Sequence, residues 1–132
     1  MTKYNQLALI LSICGDGTSV SETGTTDTFT VVLDAQPSSN VVIDVSSGDT
    51  DEATVSAASL TFTNSNWNSA QTITVTGIDD NIIDGTIAST ITVAVDDANS
   101  DNNFDAVADQ TVSATTTDND TAGFTIAQIA RA

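Results

Sequence analysis

The chain has 132 residues, of which 18 are acidic, two are basic and none is histidine, for a formal charge of −16. With no basic residue between Lys3 and Arg131, a compact state must spread its carboxylates apart or recruit cations from outside. That balance excludes neutralising a run of phosphates, and with it nucleic-acid binding; it disfavours an anionic membrane surface; and it leaves neither the usual general base nor, with one cysteine, a cysteine-based zinc site or intrachain disulfide.

Taken in chain order, residues 6–14 (QLALILSIC) come first and are apolar on both faces. Leu7, Leu9, Leu11 and Ile13 line one side, Ala8 and Ile10 the other, which asks for burial on both sides. Residues 1–15 also hold the parts of a secretion signal: Lys3, a short apolar core, and Cys14 as a lipidation point. The core is at the short limit and Ile13 is bulky for a residue before the cysteine, so the strand reading is adopted.

Strands of period two follow. Residues 27–35 put Phe29, Val31 and Leu33 on one face; residues 40–47 do so with Val41, Ile43 and Val45. Residues 58–63 pair Leu60 with Phe62. Residues 70–78 turn Ile73 and Val75 inward, with Thr72, Thr74 and Thr76 outward. Residues 90–95 offer Ile91, Val93 and Val95; residues 110–117 offer Val112 and Ala114. Polar, turn-rich stretches separate them at 36–39, 46–52, 64–69, 79–85 and 96–109. Short strands at this spacing indicate an antiparallel sandwich, and no segment of helical period is long enough to matter. Beyond Asp118-Asn119-Asp120, which reads as the end of a domain, residues 122–130 (AGFTIAQIA) form one more apolar strand.

These landmarks together resemble the Calx-beta class of immunoglobulin-like repeats, which are strung in tandem in very large bacterial surface proteins. The resemblance covers about 17–124. It rests on Val20-Ser21-Glu22 with Gly24, the 27–33 strand, Leu60-Thr61-Phe62-Thr63 with Trp67, residues 72–77 leading into Asp79-Asp80, and the closing Asp118-Asn119-Asp120. It implies an all-β, immunoglobulin-like antiparallel Greek-key β-sandwich and an extracellular, cell-surface adhesion or scaffold role without catalysis. Some members bind Ca²⁺ between loops at one end. By that resemblance the ligand positions are Glu22, Asp79, Asp80, Asp118 and Asp120, although Asn119 interrupts an acidic run that is longer elsewhere in the family.

The domain division expected is an apolar N-terminal strand or extension at 1–16, the sandwich at 17–120 and a C-terminal donor strand at 121–132. Tandem members open with a strand like residues 122–126, which here stands at the end, so the unit holds surplus terminal strands.

Other motifs carry blander readings. Many carboxylates fall in turns, where loops gathering at one end of a sandwich make an oxygen cage or simply a solvated acidic face. Trp67, between two asparagines, either stacks on a sugar or covers a core edge, and the second is adopted. Asn119-Asp120-Thr121 is a formal glycosylation sequon. Paired carboxylates can hydrolyse glycosides, but acids this abundant give a pair little meaning, and no enzyme activity is expected.

An unpaired strand edge accepts another chain. The expectation is therefore a head-to-tail homopolymer in which Phe124, Ile126 and Ile129, or alternatively Leu7, Leu9, Leu11 and Ile13, enter a neighbouring copy, or both segments pair at one junction, with calcium stiffening the junction. The rival expectation is a monomeric calcium-binding adhesion repeat whose loops bind a glycan or surface ligand.

Overall fold

The structure, a computed structural model, describes residues 17–128 and the backbone of 11–14. Nine strands build two facing sheets among these residues: β1 (Leu11–Cys14), β2 (Thr18–Ser21), β3 (Thr26–Leu33), β4 (Val41–Ser47), β5 (Ala53–Val55), β6 (Ser59–Phe62), β7 (Gln71–Gly77), β8 (Ile87–Val95) and β9 (Gln110–Thr117). One sheet has the order β1-β3-β7-β5 and the other β2-β9-β8-β4-β6. Two single-turn 3-10 helices, Asp97–Asn99 and Asn102–Phe104, lie between β8 and β9. No helix of the described residues is long and apolar enough to cross a membrane.

The alternation read from the sequence is the alternation of burial. Phe29, Val31 and Leu33 of β3 meet Ile73 and Val75 of β7 from one sheet. Val41, Ile43 and Val45 of β4, Phe62 of β6, Ile91 and Val93 of β8, and Val112 and Ala114 of β9 come from the other. Each large side chain removed from water this way contributes about 1.5–3 kcal/mol. Trp67 is half-buried against the margin of this core, as a lone indole in a small sandwich commonly is.

Three elements differ from the expectation. The sandwich is not wholly antiparallel: β2 runs parallel to β9, with Thr18 opposite Ala114 and Ser21 opposite Thr117. The chain thus crosses from one sheet at β1 to the other at β2. The three-residue β5, too short to display an alternation, pairs with the end of β7. The segment considered as a donor at the N-terminus is, over Leu11–Cys14, an edge strand of its own subunit, with Leu11 opposite Leu33 and Ile13 opposite Val31. Leu7 and Leu9 lie outside the described residues.

Strand directions divide the loops between two poles. One pole receives the turn after β2, the β4–β5 loop, the β7–β8 loop and the chain leaving β9. The opposite pole receives the β3–β4, β6–β7 and β8–β9 connections and the start of β1. Asp96, Asp97 and Asp101 therefore lie far from Glu22 and Asp118. Asp101 is a structural anchor there: its carboxylate accepts the backbone N–H groups of Ser38 (2.7 Å), Ser39 (3.2 Å) and Asn103 (2.9 Å). These bonds and that from the Ser38 hydroxyl hold it well below the usual carboxylate range.

Candidate metal centre and the exposed tail

The pole at the end of β9 concentrates carboxylates that the backbone places individually. Glu22 follows β2 directly. Its N–H donates to the Thr117 carbonyl (3.0 Å), and its Oε2 accepts the Asn119 N–H (3.1 Å). Glu52 is fixed from both sides: its own N–H donates to the Asp49 carbonyl (3.2 Å), while its carbonyl accepts from Ile78 N–H (2.9 Å) and Thr116 Oγ1 (3.1 Å). Asp118 ties the tail to the β7–β8 loop, Oδ2 accepting the N–H groups of Asp84 (3.1 Å) and Gly85 (2.9 Å) and Oδ1 that of Asp120 (2.8 Å). Gly85 adopts φ +70°, a backbone that side-chain-bearing residues rarely take.

Glycine at position 77 has a different reason. A Cβ there would stand 2.1 Å from the Ser21 carbonyl oxygen, so only glycine lets the end of β2 lie against the end of β7. That close approach sets where Glu22, the next residue, begins.

The resulting constellation has two overlapping groups. Glu22, Glu52, Asp80 and Asp84 bring carboxylate oxygens within 4.8 Å of one another, and so do Glu22, Asp118 and Asp120. Glu22 is 1% exposed and Glu52 5%. Four buried carboxylate oxygens of these groups have no hydrogen-bond partner: Glu22 Oε1, Glu52 Oε2, Asp84 Oδ1 and Asp120 Oδ2. Both basic residues of the chain, Lys3 and Arg131, lie outside the described residues, so no side-chain cation offsets this charge within them.

Protonation behaviour reflects the crowding. The Asn119 N–H, the largest single influence on Glu22, favours its ionised form. Burial and the charges of Asp80 and Asp118 outweigh it and push the carboxyl up to about 7. Burial, followed by the neighbouring Asp84 carboxyl, pushes Glu52 up to about 7 as well. Burial and the Asp118 charge raise Asp120, whereas the N–H groups of Asp120 and Gly85 lower Asp118. Buried lone pairs of one chemical kind, with no donor to meet them, can hold a metal ion. All the atoms are hard oxygens, which suits a hard divalent cation.

Of the five ligand positions implied by resemblance, Glu22, Asp80, Asp118 and Asp120 belong to these groups. Asp79 stands beside them, its Oδ1 accepting from Asn119 Nδ2 at 3.4 Å. Glu52 and Asp84 were not among those positions. A signal for Glu52 was available in the sequence: Glu22 and Glu52 are the only glutamates among the 18 acids, and both belong to this cluster.

The chain leaves this pole as a segment without regular structure over 121–128, so the strand expected at 122–130 is not formed within the subunit over the described residues. Phe124 is 89% exposed and Ile126 80%, and in the adjoining β7–β8 loop Ile82 and Ile83 are exposed too. Ile129 lies outside the described residues.

No protein-family model matches the chain, and no curated protein matches it. Solved structures do. PapD-like domain 7 of human CEP192 is 11% identical, with a TM-score of 0.65, and each chain is covered to 92%. Domains 1–6 of the surface layer protein SbsC give 22% identity and a TM-score of 0.53 over 82% of this chain. The match spans only 12% of the SbsC chain. The YadV chaperone gives 9% identity and 0.58, over 83% of this chain and 52% of its own.

The chain is an immunoglobulin-like β-sandwich. The neighbours of this fold include a surface-layer protein and a chaperone, and the likeness to them is one of fold.

Proposed function

We propose that this chain is a non-enzymatic, extracellular structural module that binds Ca²⁺ at the acidic pole and assembles head-to-tail by lending its C-terminal strand to the next copy. The observation that carries the reading is the tail itself. Phe124 and Ile126, spaced by two as in a strand, stand in solvent directly beyond Asp118 and Asp120. An apolar segment of strand period that joins no sheet of its own subunit over the described residues gains a ladder and a core from another molecule. Calcium at the root of that strand, held among Glu22, Glu52, Asp80, Asp84, Asp118 and Asp120, offsets the repulsion between subunits that each carry −16. The Calx-beta resemblance supports the same picture, because it places a strand like 122–126 at the start of a following unit.

Sedimentation and negative-stain microscopy of the full chain, with calcium and with excess chelator, test the proposal. Polymers that shorten in chelator, and monomers when 121–132 are deleted, are the expected outcome. Long fibres from the truncated chain would refute strand donation, and fibres indifferent to chelator would refute the structural ion.

A second reading, a calcium-binding adhesion repeat working as a monomer within a larger array, is favoured by the likeness to a small part of the multidomain SbsC chain. A monomeric full chain that binds calcium would establish it.

A further inference from the structure

We infer that the acceptor for this tail is the outer edge of β3 in a second copy, where the tail takes the four positions held by β1. The inference rests on the strand-donation reading and names its receiving surface. β1 reads Leu11-Ser12-Ile13-Cys14, and the tail reads Phe124-Thr125-Ile126-Ala127: large apolar, hydroxyl, isoleucine, small. Two segments of one pattern thus compete for one edge. Among the described residues β1 pairs four of the eight residues of β3, Thr30 through Leu33. Laid in the same register, Phe124 stands opposite Leu33, Thr125 opposite Val32, Ile126 opposite Val31 and Ala127 opposite Thr30.

A chain cannot place its own tail there, because both reach and direction forbid it. Its tail leaves the pole where β3 begins, since Ser21 pairs with Thr117 and the Gly77 N–H donates to the Thr25 carbonyl (3.0 Å). From Thr26 to Leu33 is seven residue steps, about 23 Å of strand. From Asp120 to Phe124 is four, at most about 14 Å. The antiparallel register also requires entry from the Leu33 end, whereas the chain's own tail arrives from the Thr26 end and would run parallel to β3. A tail entering antiparallel comes from beyond the far pole, from another molecule. Donor and acceptor surfaces lie at opposite poles, so the contact repeats without closing on itself at a two-fold axis.

Disulfide trapping in the full chain tests this, in a Cys14→Ser background so that no native thiol competes. Val32→Cys and Thr125→Cys are introduced singly, and the two proteins are mixed and oxidised. The expected product is a heterodimer joined by a disulfide between positions 32 and 125, and a non-reducing ladder when both changes are in one chain. Thr28→Cys with Thr125→Cys, four residues out of register, is expected to give at least tenfold less. Phe124→Asp with Ile126→Asp is expected to abolish the bond and leave the melting curve of the sandwich unchanged, both side chains being exposed. Oligomers in which the thiols at positions 32 and 125 do not join would overturn the acceptor while leaving assembly intact. A chain that sediments as a monomer throughout would overturn both.

Discussion

Replacing Gly77 by alanine probes the contact that locates Glu22 in the acidic cluster. The new Cβ would lie 2.1 Å from Ser21 O, 2.8 Å from Ser21 C and 3.1 Å from Ser21 N. A carbon needs at least 3.0 Å from such atoms, so the two strands must separate by about 1 Å. Neither can do so freely: Ser21 is in ladder register with Thr117, and Gly77 with Ala53, while the Gly77 N–H holds the Thr25 carbonyl at 3.0 Å. Backbone against backbone puts the cost at the upper end of overpacking, about 3 kcal/mol. With an unfolding entropy of about 2.1 cal/mol/K per residue, that lowers the melting temperature of a chain this size by about 10 °C. Because Glu22 follows Ser21, calcium affinity should fall about tenfold along with stability. Thermal denaturation followed by circular dichroism, in chelator and across a calcium titration, measures both effects. Gly123→Ala, where a Cβ meets nothing within 4 Å, is the matched control and should be silent. A Gly77→Ala protein that melts within about 2 °C of the parent and keeps its calcium response would refute the reasoning.

In chelator, stability should fall as pH rises from about 4.5 through 7. Glu22 and Glu52 titrate near 7 in the fold against an ordinary value of 4.5, so the folded chain binds more protons across that interval. Below that interval the sign reverses, because Asp101 and Asp118 are depressed and lose their N–H bonds on protonation. Calcium should flatten the upper limb, since it binds the deprotonated site; urea midpoints between about pH 3 and 8 record all of this. Glu52→Gln should raise the melting temperature at about pH 8 in chelator, by removing a charge that Asp84, Asp80 and Asp49 oppose, yet weaken calcium binding at least tenfold by calorimetry. Asp101→Ala should cost about 1–3 kcal/mol through the N–H groups it leaves unmet, equally with and without calcium, because it lies at the far pole.

Much of the sandwich was legible because its strands are buried on one face. Phe29-Val31-Leu33, Val41-Ile43-Val45 and Ile73-Val75 announce themselves by period two, and all are buried. Glu22, Asp80, Asp118 and Asp120 could be placed by resemblance. Glu52 and Asp84 could not, for a physical reason: Glu52 is delivered by the hop of Ala53–Val55 onto β7, and three residues are too few to show a period. Asp84 arrives through a turn whose geometry depends on Asp118, 34 residues away. The parallel pairing of β2 with β9 was equally hidden, because a four-residue strand carries no signal of which sheet it joins.

That parallel pairing has a mechanical consequence. Tension applied through the two ends of the chain pulls β2 toward the pole where β1 begins and β9 toward the pole where the tail departs. Side-by-side strands drawn in opposite senses along their length share the load across all their hydrogen bonds at once, whereas a hairpin peeled from its tip loses them one at a time. A fold wired this way resists stretching along its strands, which is the direction in which a head-to-tail string of such units would be pulled.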